Sequence, residues 1–169
     1  KFLVNDILMN IENLRTLFLP VNKMGKNQSE HLSMIDEAYS SEQLVFVFPA
    51  GLVSRKRGKI IRDLDWKKSF VTKAKQYKKD VIPIHVSGQN GNFFYNLSNF
   101  RKRLGVKANI EMLYLVDEMY NQKGKEIHIT VGKPIPWDTF NTSSSPHHWA
   151  NKVRQFVYTL PAQPQAVFH

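Results

Sequence analysis

The sequence predicts an α/β domain, a mixed and largely parallel sheet flanked by helices, spanning residues 1–169 as a single unit. Three observations predict it. Stretches of strand and helix character alternate along the chain. Several strand-length runs, such as residues 44–48, are apolar at every position, as strands covered on both faces are. The chain's 169 residues, 42% hydrophobic and 22% charged, suit one domain with a sizeable core.

The elements follow in order. Residues 5–17 read as a helix capped by Asn5 or Asp6, with Ile7, Leu8, Ile11 and Leu14 on one face. The run LFLPVN, 17–22, is short, apolar and broken by Pro20, which predicts an edge or irregular strand. Ser29 caps a second helix carrying Leu32, Ile35, Ala38 and Tyr39. QLVFVF, 43–48, has strand length and is rich in Val and Phe. Trp66, Phe70, Ala74 and Tyr77 recur at helical spacing, so 66–79 is expected as a helix with a lysine outer face. VIPIHV, 81–86, reads as a buried strand with Pro83 inside it. Phe93, Leu97, Phe100 and Leu104 form one helical stripe, stopped by Gly105. EMLYLV, 111–116, and EIHITV, 126–131, read as strands. Ser145 and Pro146 cap a last helix with Trp149, Val153, Phe156 and Val157 inward. The loop NTSSSP, 141–146, precedes it, and the tail 160–169 is expected to be loose or irregularly packed. No internal repeat or long linker interrupts the pattern.

Composition narrows the function. The chain has no cysteine, which excludes disulfides and thiolate metal sites and fits a reducing compartment. No apolar run approaches the roughly 20 residues a bilayer requires, and no signal-peptide pattern is present. The chain begins KFLVNDILMN, without methionine and already in hydrophobic rhythm, and so reads as a piece of something longer. Its net charge is +10. Such a balance favours nucleic acid, an anionic membrane surface or a phosphorylated ligand. Between Arg55 and Lys79 eleven cations face only Asp63 and Asp65, and a second cluster is Arg101, Lys102 and Arg103. Solvated helix faces are the plain alternative for both clusters.

Residues 44–59, LVFVFPAGLVSRKRGK, join these themes. A hydrophobic strand ends at Phe48, where Pro49 cannot donate a ladder hydrogen bond. Ala50 and Gly51 let a ligand approach the backbone. Ser54 can donate to an anion, and Arg55 can grip one with two parallel hydrogen bonds. In open α/β sheets ligands bind beyond the carboxyl ends of strands. The alternative is an ordinary strand-to-loop turn followed by exposed cations.

VFVFPAGLVSR, 45–55, followed by VIPIHVSG, 81–88, resembles the glycerophospholipid (lysophospholipid) acyltransferase family, in particular its hemolysin-like, ornithine-lipid-type branch. The family's third motif usually reads Phe-Pro-Glu-Gly-Thr-Arg-Ser, and Phe48, Pro49, Gly51 and Ser54 match it. Pro83 matches the proline of the fourth motif. LFLPVNK, 17–23, sits where the second motif belongs, and ITVGKPIP, 129–136, resembles the closing strand and turn. The resemblance covers about residues 1–140. It departs at Ala50 in place of glutamate, at Val53 in place of arginine (with Arg55 two places later) and at Asn22 in place of arginine (with Lys23 beside it). These departures point away from a simple glycerol-phosphate acceptor.

The resemblance implies a glycerol-3-phosphate acyltransferase-like fold and a role in bacterial membrane-lipid synthesis. A fatty acyl chain would pass from acyl carrier protein or acyl-CoA to a lyso-lipid or an acceptor with an amino-acid head. No cofactor is implied beyond the thioester co-substrate, and no metal. The substrate-binding residues implied are Phe48, Pro49, Ala50, Gly51, Ser54, Arg55, Asn22 and Lys23. The family's catalytic His-x-x-x-x-Asp pair, a general base and its orienting carboxylate, would lie upstream of Lys1. No catalytic residue is therefore expected in this chain, and these 169 residues alone are expected to be inactive.

His31 and Asp36 have the pair's spacing. They follow the second motif, however, and lie on a helix where positions five apart point to different sides. His85 and His128 read as strand histidines, and His147 and His148 as exposed residues opening the last helix. No His, Asp and Glu set has metal spacing, and no Gly-x-Ser-x-Gly elbow is present. The expected location is cytoplasmic, peripheral on the inner face of the cytoplasmic membrane. There the basic face of 55–79 would meet anionic lipid or acidic acyl carrier protein. The other class is a non-catalytic basic module binding anionic lipid or nucleic acid. Trp66, Tyr77 and Phe93 are the rings that would stack on bases, but nucleic acid is disfavoured because Trp66 and Tyr77 fall on the apolar side of a helix and no nucleic-acid motif is present.

Overall fold

The computed structural model describes residues 1–21 and 29–169. The architecture is mixed α/β, and the chain divides into two compact units. The first contains Lys1–Pro49, Lys67–Val81 and Ile135–Ala150; the second contains Ala50–Trp66, Ile82–Pro134 and Asn151–His169.

In the first unit β1 (Phe2–Asn5) pairs in parallel with β2 (Phe18–Val21), in the register Phe2↔Phe18 to Asn5↔Val21. Parallel neighbours need a crossover of about a dozen residues or more. Residues 6–17 supply it as two 3-10 turns, Asp6–Asn10 and Glu12–Leu17. The helix expected over 5–17 is therefore absent. Asn5 is taken into the ladder, and Ile11, with ψ of 89°, breaks the helical path. Pro20 falls on β2, and its missing donor is tolerated there because β1 is the only strand beside β2 among the described residues.

The strand expected over 43–48 shrinks to one parallel bridge, Phe46↔Phe2. There the Leu3 amide donates to the Phe46 carbonyl at 2.9 Å and the two rings stack at 4.7 Å. The helix α1 (Ser29–Ser40) buries Ile35, Ala38 and Tyr39 against Leu19, while Leu32 stays 48% exposed. The helix α2 (Ser69–Tyr77) buries Phe70, Val71 and Ala74. It starts three residues later than its spacing predicts, leaving Trp66 outside. Lys73 of α2 pairs with Asp36 of α1, so not every lysine of this helix is available to a partner.

The second unit holds two antiparallel ladders. One is the hairpin of β3 (Arg55–Arg57) and β4 (Ile60–Arg62). Its two-residue turn has Gly58 at φ 60° in the first central position, as a type II′ turn requires. The other joins β5 (Ile84–Val86) to β6 (Ile129–Val131). Among the described residues the ladders are thus one parallel and two antiparallel, each two-stranded.

The helix α3 (Asn92–Arg103) ends at Gly105, with φ 72°, where its stop is predicted. Its buried face differs from the apolar stripe. Phe94, Tyr95, Ser98 and Arg101 are buried, while Phe93, Phe100 and Leu104 are 58%, 58% and 61% exposed. Polar chemistry decides this, because Ser98 and Arg101 turn inward to a buried carboxylate on the next element.

That element is also a correction. Residues 111–116 are not a strand; Ile110–Tyr114 is a 3-10 turn that runs into a short helix, α4 (Leu115–Tyr120). Glu111 and Glu118 are both buried. Seven residues apart, they share a face on a helix and would oppose each other on a strand.

The last helix, α5 (Pro146–Val157), is capped as its sequence predicts, with Ser145 Oγ accepting the His148 amide at 3.2 Å. Trp149, Val153 and Val157 are buried, and Phe156 is half-buried. In the tail, Leu160 is fully buried and Phe168 meets the ring of Phe156.

Candidate functional site

Residues 48–55 bend as their sequence suggests. Gly51 has φ of 68°, in the left-handed region that glycine enters at little cost. Phe48 is 65% exposed, and Pro49, Ala50 and Gly51 are half-buried. Asn22 and Lys23 lie outside the described residues.

Ser54 and Arg55 are both engaged within the second unit. Ser54 Oγ donates to Asp63 Oδ1 at 2.6 Å. The other Asp63 oxygen accepts Trp66 Nε1–H at 3.0 Å, and the Asp63 amide donates to the Tyr158 hydroxyl oxygen at 2.9 Å. Asp63 thus ties the two ends of the hairpin to α5's C-terminal turn.

Arg55 is 3% exposed. Its Nη2 donates to Glu111 Oε1 at 3.0 Å, its Nη1 donates to the Val53 carbonyl at 3.0 Å, and its guanidinium lies 5.6 Å from the Phe94 ring centroid. Glu111 is fully buried and also receives Arg101, Nε to Oε2 at 2.5 Å and Nη2 to Oε1 at 3.0 Å, together with Ser98 Oγ at 3.3 Å. Arg101 donates further to the Val106 carbonyl at 2.9 Å and to Asn109 Oδ1. One carboxylate therefore holds two guanidinium groups away from water. Burial pushes the Glu111 carboxyl up, but the Arg101 hydrogen bond and the charges of Arg101 and Arg55 outweigh it and hold the group below its ordinary value. The guanidinium expected to meet an anionic ligand is thus directed inward, because a buried charge requires a paired counter-charge.

The hairpin presents further cations. Strand alternation puts Arg55, Arg57, Ile60 and Arg62 on one face, and Lys56 and Ile61 on the other. The first face lines a hollow of about 190 Å³, completed by Asp63, Leu64, Asp65 and Arg154. Arg154 Nη1 pairs with Asp65 Oδ1 at 2.9 Å, and its Nη2 donates to the Asp63 carbonyl. The Arg62 guanidinium lies over the Tyr158 ring, 5.0 Å from its centroid. On the opposite face, Lys56 Nζ donates to Asn92 Oδ1 at 3.0 Å, which seats the hairpin on α3.

His31 is half-buried on α1, and Asp36, its partner in spacing, is paired with Lys73. His85 is half-buried with its ring edge-on to Tyr158 at 5.9 Å, and exposed His128 lies 3.5 Å from Glu126. Among the described residues no three His, Asp or Glu side chains are placed to hold a metal ion, and no helix is long and apolar enough to cross a membrane.

Sequence reasoning missed Glu111 and Arg154, and it counted Arg57, Arg62 and Arg101 only as members of basic clusters. One signal pointed to Glu111: it is the only acidic residue between Asp80 and Asp117, and it follows the Arg101–Arg103 cations. A lone acid in a basic stretch is a candidate for burial as a counter-charge.

The acyltransferase family model matches residues 1–166. The chain is 49% identical over 160 residues to a lyso-glycine lipid O-acyltransferase of Bacteroides thetaiotaomicron. It is 47% identical over 160 residues to a protein of the same name from Phocaeicola vulgatus. Each match covers 95% of this chain, but 59% and 57% of the two relatives, so the chain spans less than two thirds of their length. No solved structure matches it.

Proposed function

Because this chain belongs to the acyltransferase family, we propose that it is part of an enzyme that esterifies a lyso-lipid carrying an amino-acid head group. The observation that carries this reading is near-50% identity, over 95% of the chain, to two proteins named for O-acylation of lyso-glycine lipid. The acyl donor is a thioester of acyl carrier protein or CoA.

An upstream histidine, oriented by an aspartate five residues on, removes the acceptor hydroxyl proton. The oxygen attacks the thioester carbonyl carbon, a C–O bond forms, and the C–S bond breaks. The leaving thiolate takes the proton back from the imidazolium. Ala50, Gly51 and Ser54 belong to the acceptor site in this reading. The bend at Gly51 and the adjoining arginine-lined hollow support that placement. In this reading the chain and its upstream segment make one domain with a glycerol-3-phosphate acyltransferase-like, largely parallel sheet; the parallel pairing of Phe46, β1 and β2 supports the parallel part, while β3–β4 and β5–β6 are antiparallel.

Full-length protein given lyso-glycine lipid and acyl carrier protein or CoA thioesters is expected to release free thiol only when the acceptor is present. Thiol release that ignores every lyso-lipid offered rules the reading out, and the preferred thioester identifies the donor.

The same reading places the enzyme peripherally on the inner face of the cytoplasmic membrane. Arg57, Lys59, Lys67, Lys68 and Lys78 are exposed cations, each contributing about 1 kcal/mol near an anionic surface. Co-sedimentation with anionic vesicles is expected to fall as salt rises from low to physiological strength. Salt-independent co-sedimentation would remove the electrostatic component.

A further inference from the structure

The charges around the β3–β4 hairpin do not all find partners within their unit. Arg55 and Arg101 share Glu111, and Arg154 pairs with Asp65. The two oxygens of Asp63 are occupied by Ser54 and Trp66. That leaves Arg57 and Arg62, which have no carboxylate partner among the described residues, are exposed, and stand on the face that lines the hollow.

The register makes these two diagonal neighbours. Arg57 pairs with Ile60, and Arg62 stands two residues beyond Ile60, which puts such a pair about 7–8 Å apart. The same register sets Arg62 directly opposite Arg55, and like charges in that relation are destabilising. Glu111 neutralises Arg55 from below, but nothing described neutralises Arg62. Its guanidinium is nonetheless steadied over the Tyr158 ring, whose hydroxyl accepts from the Asp63 amide. A ring-steadied Arg62 and an exposed Arg57 lining one small hollow constitute a receptor for an oxyanion. The lining keeps a positive balance, since Arg55, Arg57, Arg62 and Arg154 stand there against Asp63 and Asp65, and Asp65 is paired with Arg154. Ile60, 62% exposed on the same face, offers apolar contact to the first methylenes beyond a head group.

We propose that Arg57 and Arg62 bind the anionic head of the acyl acceptor, a carboxylate or phosphate seated in the hollow between β3–β4 and Arg154. This rests on the reading of the protein as a lyso-lipid acyltransferase.

The test uses full-length protein and measures equilibrium binding, below their micelle concentrations, of lyso-lipids with one common chain. One carries an amino-acid head with a free carboxylate, one the corresponding carboxamide, and one a phosphate. The proteins are wild type, Arg57→Gln/Arg62→Gln and Arg57→Lys/Arg62→Lys, with melting temperatures compared; because both arginines are exposed, all three are expected to fold.

Wild type is expected to bind an anionic head roughly tenfold or more tighter than the carboxamide. The Gln pair should lose that preference, and the Lys pair should keep part of it. The arm showing the larger loss, carboxylate or phosphate, names the head group. Equal binding of acid and amide by wild type, or an undiminished preference in the Gln pair, overturns the proposal. Acyl transfer followed in the same samples separates the two ideas. Charge-selective binding without any transfer defeats the enzymatic reading alone. Transfer that is untouched in the Gln pair defeats the arginine site alone.

Discussion

Glu111→Gln is expected to cost about 3–5 kcal/mol of stability, because it leaves two buried guanidinium groups without a counter-charge. Glu111 is fully buried and makes both of the ion pairs that hold Arg55 and Arg101. The amide can still accept hydrogen bonds, so the loss measures charge compensation more than hydrogen-bond number. Denaturant unfolding at neutral pH checks it, and wild-type stability in the variant would show that the triad does not hold β3 to the 3-10 turn.

The pH dependence follows in sign. Glu111 titrates below its ordinary value in the folded protein, since the arginines outweigh burial. Its contribution is therefore present above the ordinary carboxylate range and is lost as pH falls through the lower folded value. The Gln variant should lack that component of the acid-side decline. The same geometry reassigns Arg55: Arg55→Ala is expected first to destabilise the hairpin, so a loss of activity in that variant would not by itself mark a ligand contact.

The second large effect lies where the fourth motif meets the closing turn. Leu160→Ala is expected to cost about 2–5 kcal/mol, because Leu160 is fully buried and its removal leaves a cavity. Gly132 borders that site. Its amide donates to the Pro83 carbonyl at 2.9 Å, and a Cβ added there would lie 2.9 Å from Leu160 Cδ2 and 3.0 Å from Pro83 Cγ. Gly132→Ala is therefore expected to cost about 1–3 kcal/mol by overpacking. The double variant should be more stable than the sum of the two losses by about 0.5 kcal/mol or more, because the new methyl enters the space Leu160 leaves. Strict additivity in thermal or denaturant unfolding would show that the two side chains do not share this space.

Features that depend on near neighbours in the chain were legible in the sequence. Pro49 ends a hydrophobic run, Gly51 bends the backbone, Gly105 stops α3, and Ser145 opens α5, each through its own φ preference or a hydrogen bond a few residues away. The elements that were misread share a different origin. The apolar stripe of α3 predicts one buried face, yet Ser98 and Arg101 are drawn inward by a carboxylate ten or more residues away. The 111–116 run looks like a strand from its apolar character, yet two buried glutamates seven residues apart select the helical path. Residues 5–17 have helical periodicity, yet β1 claims Asn5 and the remaining residues serve as a crossover.

Residue identity and local backbone preference carry the family, the basic character and the bend at residues 49–51, and these are read directly from the chain. Which cations are engaged and which face outward depends on the packing of segments far apart in the chain. Arg55 is bound to Glu111, 56 residues away in the chain, while Arg57 and Arg62 remain at the hollow. The physical reason is that a charge's role depends on burial and on which opposite charge lies within a few ångströms, and both arise only when distant segments pack together.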